Sequence, residues 1–256
     1  MKPVVVRNLI IGEGIPKICV PIVGVSKEEI IEQARMAGSI RADLAEWRAD
    51  WFEGVFEQEQ VEDVLRELRV ILGETPLLFT FRTAAEGGER AMEPADYAGL
   101  LAAAAQTGCV DLVDVEAFMG DAVVKKLIAA AHRAGVKVVA SNHDFEKTPE
   151  QAQIIWRLRR MQELGADISK IAVMPQSKKD VLTLLAATEE MCREYAAGPV
   201  ITMAMGGMGM VSRLCGEVFG SAVTFGAAKR ASAPGQVGVQ ELKDVLGILH
   251  AGLERE

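Results

Sequence analysis

Eight short apolar runs, each followed by a longer segment with helical spacing, set the rhythm of this chain. The runs fall at residues 17–24, 43–51, 76–83, 112–117, 136–144, 168–175, 199–205 and 222–228. Their length and the turn residues around them read as strands. Between them apolar residues recur three and four apart. Val61, Val64, Leu65, Leu68 and Leu72 make one such stripe, and Ile154, Ile155, Leu158, Met161 and Leu164 another. Val181, Leu184, Leu185, Met191 and Cys192 follow, and Leu242, Val245, Leu246 and Leu249 close the series. These are the buried faces of amphipathic helices. Ser26 and Glu29 read as a capping box with Val25 and Ile30 as a hydrophobic staple, Ser177 as a second cap, and Thr148 as a third with Pro149 at the first helical position. Two three-residue runs, 4–6 and 9–11, flank Arg7-Asn8 and predict a small hairpin ahead of the main fold.

A strand and a helix repeating about every 30 residues is the length of a βαβ unit. Eight such units predict an α/β fold, a closed (β/α)₈ barrel, as one domain over residues 1–256. An open doubly wound sheet would carry a Gly-rich turn after its first strand. Here the Gly-rich stretch, 206–209, comes late and does not fit G-x-G-x-x-G. It is either a phosphate-cradling turn after the seventh strand or a tight turn that needs glycine's backbone freedom.

Polar residues inside the strands change the picture. In the second run Ala45, Trp47, Ala49 and Trp51 alternate with Leu44, Glu46, Arg48 and Asp50. In the fourth, Asp114 and Glu116 alternate with Val113 and Val115. A doubly covered parallel strand should be apolar on both faces, so a charged face looks onto something polar. The sixth run places Lys170 on one face with Ile168, Ala172 and Met174. Read alone, that lysine is a snorkelling or salt-bridged one. It is not alone: Glu46 and Arg48, Arg82, Glu116 and His143 sit toward the ends of neighbouring strands, where a barrel gathers its active groups. Buried charges converging from consecutive strands cost free energy unless they are used or paired, and point to a site. Burial disfavours the charged form of a lysine, and a neutral amine is a nucleophile. A lysine beside a histidine suggests carbonyl chemistry through a Schiff base, with the imidazole moving protons. Glu86 can orient that imidazole, and the arginines can hold a carboxylate or hydroxyls. These residues suit an aldolase, a decarboxylase or a dehydratase. His132 and His250 fall near helix C-termini and read as dipole partners or surface residues.

Composition narrows the partners. The 28 basic and 36 acidic residues give a net charge of −8, which argues against nucleic acid and against a polybasic membrane patch. Cys19, Cys109, Cys192 and Cys215 form no C-x-x-C pair, and the simple inference is a reduced cytoplasmic setting. No signal peptide, membrane span, metal or cofactor is expected; the expected partner is a small molecule.

The segments EWRADWF, LLFTFRTAAEGGE, SNHDFEKTP, MQELGADISKIAVMPQSKKDVLTLL and SRLCGEVFGSAVTFGAAKRASAPGQ resemble, in family order and across essentially the whole chain, the type I 3-dehydroquinate dehydratases. The resemblance implies a (β/α)₈ barrel, usually a homodimer, that removes water from 3-dehydroquinate in the shikimate pathway. By the same resemblance Lys170 is the Schiff-base lysine, His143 the general acid/base, and Glu86 its carboxylate neighbour. Glu46, Arg48 and Arg82 match groups that bind the substrate's hydroxyls and ring. Arg213, Ser232 and Gln236 match groups that hold the carboxylate side, and residues 229–238 match a lid. These last assignments rest on the resemblance alone. Pro21 is a departure, since many relatives carry a serine there that touches substrate.

Overall fold

The computed structural model describes residues 2–228 and 233–255. A hairpin of β1 (Val4–Val6) and β2 (Leu9–Ile11) leads into parallel strands β3 (Lys17–Ile22), β4 (Leu44–Arg48), β5 (Leu77–Thr80), β6 (Leu112–Glu116), β7 (Lys137–Asp144), β8 (Ile168–Val173), β9 (Val200–Ala204) and β10 (Val223–Ala227). From β3 to β9 each pairs with the next in sequence, and β10 pairs with β3. The ring closes between β9 and β10 through the bridge of Val200 with Ser221, where the Ala222 N–H donates to the Val200 carbonyl at 2.8 Å. The two-residue β11 (Val237–Gly238) adds to β10. This is the expected (β/α)₈ barrel with its N-terminal hairpin.

Helices α1 (Lys27–Ser39), α2 (Gln58–Leu72), α3 (Pro94–Gln106), α4 (Asp121–Arg133), α5 (Gln151–Glu163), α6 (Lys178–Glu190) and α9 (Val239–Leu253) lie outside, with short α7 (Met210–Leu214) and α8 (Gly216–Phe219) after β9. The α2 stripe is buried against Trp47 and Phe79, whose rings meet edge to face at 5.5 Å. Ser177 caps α6 in a full capping box with Asp180.

Two helix starts differ from the sequence reading. Ser26 does cap α1, but Glu29 bonds the Val25 N–H at 2.9 Å and Val25 is exposed. Ile30 packs instead on Gly24, where a β-carbon would come within 2.7 Å of the Ile30 nitrogen. Thr148 is not the cap of α5; Glu150 is. Pro149 is buried ahead of the cap, so shielding its ring sets the chain's path there. Strand ends also shorten. The second run leaves the sheet after Arg48 and turns through a 3₁₀ segment, Ala49–Trp51, and β5 stops before Arg82.

Inside the barrel, side chains from alternate strands stack in layers of four. Leu44, Leu112, Ile168 and Val223 form the lowest layer, closed from below by Val4, Val6 and Ile11 of the hairpin. Two residues further along the same strands stand Glu46, Asp114, Lys170 and Phe225. Below the layers, one device recurs. Asp43, Asp111 and Asp167, each just before an alternate strand, accept the Ile18, Leu77 and Val138 N–H groups at 2.8–2.9 Å. Ser221 does the same for Thr202 at 3.0 Å. Each satisfies a backbone donor at the barrel floor that would otherwise be lost on burial.

Asp111 also accepts Arg7 at 2.6 Å and Arg69 at 2.8 Å. Asp111→Ala is expected to cost about 2–4 kcal/mol, by leaving the Leu77 N–H without its acceptor and taking one ion-pair partner from each of Arg7 and Arg69. Urea denaturation checks this. Lys27→Ala, which removes exposed ion pairs to Asp63 and Glu67, should leave the midpoint nearly unchanged.

Candidate active site

At the C-terminal mouth of the barrel lies an open cavity. Its lining includes Glu46, Arg48, Arg82, Glu86, His143, Lys170, Arg213 and Gln236. Eight of the nine site residues expected from the sequence therefore meet in one place. The ninth, Ser232, lies outside the described residues, as does the 229–232 part of the expected lid.

Lys170 is 4% exposed. Strand alternation turns it inward with Ala172, and its layer supplies its neighbours. The amine is 3.5 Å from Asp114 and 3.8 Å from Glu46, and sits 4.5 Å from the centre of the Phe225 ring. Glu46 is steadied by the Thr80 hydroxyl at 2.9 Å, and Asp114 by the Ser141 hydroxyl at 2.6 Å. Burial works to raise the Asp114 carboxyl, but Arg82, Lys170 and Ser141 outweigh it and hold it below the ordinary range. Asp114, which the sequence reading left out of the site, thus stands closer to the amine than Glu46 does. Its alternation with Glu116 was visible; its partnership with Lys170 depends on how the strands are staggered around the barrel, and a single sequence does not display that.

Arg82 lies two residues past its strand and spans three groups. One nitrogen donates to Asp114 at 2.8 Å, the other to Glu116 and Ser141 at 3.0 Å each. Glu116 also takes both the N–H and the hydroxyl of Thr83. Arg48 is gripped by Asp50 through two 2.8 Å bonds, and the same carboxylate accepts the Arg82 N–H at 3.3 Å. Asp50, read from the sequence as a strand residue, is in the 3₁₀ turn and anchors the two arginines.

His143 ends β7. Its Nδ1 is 3.0 Å from Glu86 Oε2, and the same oxygen accepts the His143 backbone N–H at 3.0 Å. Burial, then the charges of Arg82, Lys170 and Arg48, push the imidazole well below its usual range. A neutral ring with its proton on Nδ1, facing the carboxylate, leaves Nε2 free to act as a base. Burial pushes Glu86 up to about 7, with Arg82 opposing.

Arg213, on α7, is 1% exposed. It donates to the Pro234 carbonyl at 3.2 Å and touches the Met203 sulfur, while its Nε has no partner. Among the described residues no carboxylate lies within ion-pair distance of it, and burial lowers it to about 10. The 206–209 turn is not an open phosphate cradle. Pro234 accepts the Gly206 N–H at 3.2 Å, and a β-carbon at Gly235 would stand 2.3 Å from the Gly206 carbonyl. Pro21 is buried in β3 opposite Glu46 and does not line the cavity. His132 and His250 pair with Asp167 and Glu217 away from it.

A (β/α)₈ barrel with a buried amine, a base-competent imidazole and, at its mouth, a guanidinium with no carboxylate partner among the described residues has the parts of a lyase acting on a carbonyl acid. Comparison with known proteins makes that specific. The model of the type I 3-dehydroquinase family matches residues 18–252, and the chain belongs to that family. It is 57% identical over 250 residues to the 3-dehydroquinate dehydratase of Listeria monocytogenes serotype 4a, covering 98% of this chain and 99% of the relative. A crystal structure of the type I enzyme from Clostridium difficile with covalently modified comenic acid is 55% identical, with a TM-score of 0.96 over 98% of this chain and 99% of that one. The 3-dehydroquinate dehydratase of Geobacillus kaustophilus is 42% identical, with a TM-score of 0.95 over 98% and 97% of the two chains.

The Glu86–His143 pair makes a testable statement about protons. Above about pH 7 an ionised Glu86 accepts the ring N–H; as pH falls through that value Glu86 takes a proton and the restraint weakens. Nitrogen NMR of the His143 ring should report the Nδ1–H form above this range and a change through it. In Glu86→Gln the change near pH 7 should disappear.

Proposed function

We propose that this chain is a 3-dehydroquinate dehydratase, a hydro-lyase that works through a Schiff base on Lys170. The observation that carries the reading is the buried Lys170 amine facing the same cavity as His143. The Lys170 amine attacks the C3 ketone, and His143 assists the proton transfers through the carbinolamine, which loses water to give the iminium. The iminium draws electrons from C2, so its C–H bond becomes acidic. His143 Nε2 takes that proton, the C2 electron pair forms the C1–C2 double bond, and the C1 hydroxyl leaves as water with a proton returned by His143. Water then hydrolyses the iminium, releasing 3-dehydroshikimate and the free amine.

The charge layout supports this order. The iminium nitrogen would carry its charge between Glu46 and Asp114 and over the Phe225 ring, in positions already held by Thr80 and Ser141. Such prearranged groups need no reorganisation as charge develops. Arg213, buried without a carboxylate partner among the described residues, suits the substrate's carboxylate. Glu46, Arg48 and Arg82 line the side where ring hydroxyls would sit, with Gln236 at the mouth. Ser232 and the rest of the 229–238 segment complete the reading as a lid that excludes water. The mechanism requires no cofactor. We read the chain further as one barrel domain, acting as a homodimer in the cytoplasm. No helix among the described residues is long and apolar enough to cross a membrane.

The test is turnover of 3-dehydroquinate, followed by the absorbance of the conjugated product, beside a panel of sugar phosphates cleaved by Schiff-base aldolases. Dehydration with no cleavage of the panel is expected. His143→Ala should lose roughly 10²–10⁴-fold in kcat, Lys170→Ala should fall to background, and Arg213→Ala should act mainly through KM. Tight binding of 3-dehydroquinate without turnover would replace the enzyme by a metabolite-binding barrel, and sugar-phosphate cleavage would replace it by an aldolase.

A further inference from the structure

Behind the Glu86–His143 pair, on the outer side of β7, a second set of contacts runs away from the cavity. Asn142 and Asp144 flank His143 in the strand and so face the opposite way. Arg157, one turn and a half into α5, reaches both. It donates to the Asn142 side-chain oxygen at 2.8 Å and lies 3.7 Å from Asp144. Asn142 in turn donates its amide N–H to Glu86 Oε1 at 3.0 Å. Arg157 is largely buried and does not line the cavity.

We propose that Arg157 is a positioning residue that fixes the Asn142 amide, and through it the Glu86 carboxylate and the proton-bearing nitrogen of His143. The argument is one of donors and acceptors. A guanidinium can only donate, so it admits only the oxygen of the Asn142 amide on its side. The amide N–H₂ is thereby turned toward Glu86. Glu86 Oε1 then receives Asn142, and Oε2 receives the His143 backbone N–H. A carboxylate so placed is an acceptor only, and the ring atom facing it must be Nδ1–H. The Asn142 bond lowers Glu86 against the effect of burial. Without Arg157 the amide is free to turn its oxygen toward the carboxylate, which disfavours the ionised form.

The groups around this relay are accounted for. Arg82 stands 3.6 Å from Glu86, and the charges of Glu116 and Asp114 reach it from β6. Arg82 acts on His143 from the segment just past β5, and Lys170 and Arg48 act on it from β8 and β4. Asp144 is engaged by the Glu146 and Lys147 N–H groups, which hold it in its own turn. Arg157 is the cation that reaches the relay from the helix layer, with no role in the cavity.

This inference rests on His143 as the acid/base, and its test separates the two. The first readout is nitrogen NMR of the His143 ring in ligand-free protein, which needs no turnover. Arg157→Met should raise the pH at which the Nδ1–H form is lost by about one unit. Arg157→Lys keeps a donor and should restore most of the shift. The second readout is the pH profile of kcat. Its acid limb should move up in Arg157→Met by about the same amount, with a few-fold loss at neutral pH and KM little changed. Asn142→Ala removes the same link from the strand side, and decides the question if Arg157→Met fails to fold. Folded variants whose ring transition and pH profile superimpose on the parent would overturn the proposal, leaving Arg157 a purely structural residue. A moved ring transition in a protein that does not turn over 3-dehydroquinate would uphold the relay and remove the proposed reaction.

Discussion

Charge buried in a barrel interior must be balanced close at hand, and this constraint organises the molecule. Among the described residues the buried charged side chains are Glu46, Asp50, Asp114 and Glu116 against Arg48, Arg82, Lys170 and Arg213. The set is neutral as a whole but uneven in space. Arg48 belongs to Asp50, and Arg82 to Asp114 and Glu116. Lys170 shares Asp114 and Glu46. Arg213 is left without a carboxylate. One side of the cavity is therefore negative around an amine, and the other is a buried cation with no anion among the described residues. Removing one member of such a network leaves another uncompensated, which costs several kcal/mol. The arrangement suits an anionic ligand whose reacting carbon must be presented to Lys170.

The floor of the barrel makes that precision attainable. The hairpin seals the lowest layer, and the Asp43, Asp111, Asp167 and Ser221 bonds tie each alternate strand to its neighbour. Strand stagger is fixed there, several ångströms below the amine. That stagger decides which residues of separate strands share a layer. Glu46, Asp114, Lys170 and Phe225 become neighbours because of it. The helix layer contributes through Arg157, whose contacts end at the back of the Glu86–His143 pair.

Much of this was legible in the sequence, for reasons that differ residue by residue. Glu46, Arg48 and Glu116 showed themselves because a period of two is visible along a strand, and charges on a buried face are conspicuous. Lys170 and His143 followed from the same reasoning. Arg213 and Gln236 sit on a short helix and a loop, where no periodicity marks them, and only a family resemblance reached them. Asp50 was misread as a strand residue because its turn continues the alternation of β4 without a glycine or proline to mark the break. Asp114 was seen but not given its partner, since spacing within one strand says nothing of stagger between strands. Thr148 looked like a cap because Thr-Pro is a helix-start signature, yet burying Pro149 moved the start to Glu150. Met203 and Phe225 were hidden for the opposite reason: apolar residues in a strand look like core whichever side of the site they serve.

The central claim is that the interior charges hold an amine ready to bond covalently to a keto acid. Borohydride reduction in the presence of 3-dehydroquinate, followed by peptide mass mapping, tests it most directly. A stable adduct on Lys170, absent without substrate and absent from Lys170→Ala, is the result this account predicts. Folded protein at saturating 3-dehydroquinate with no adduct on Lys170, or with the adduct on another lysine, would contradict it.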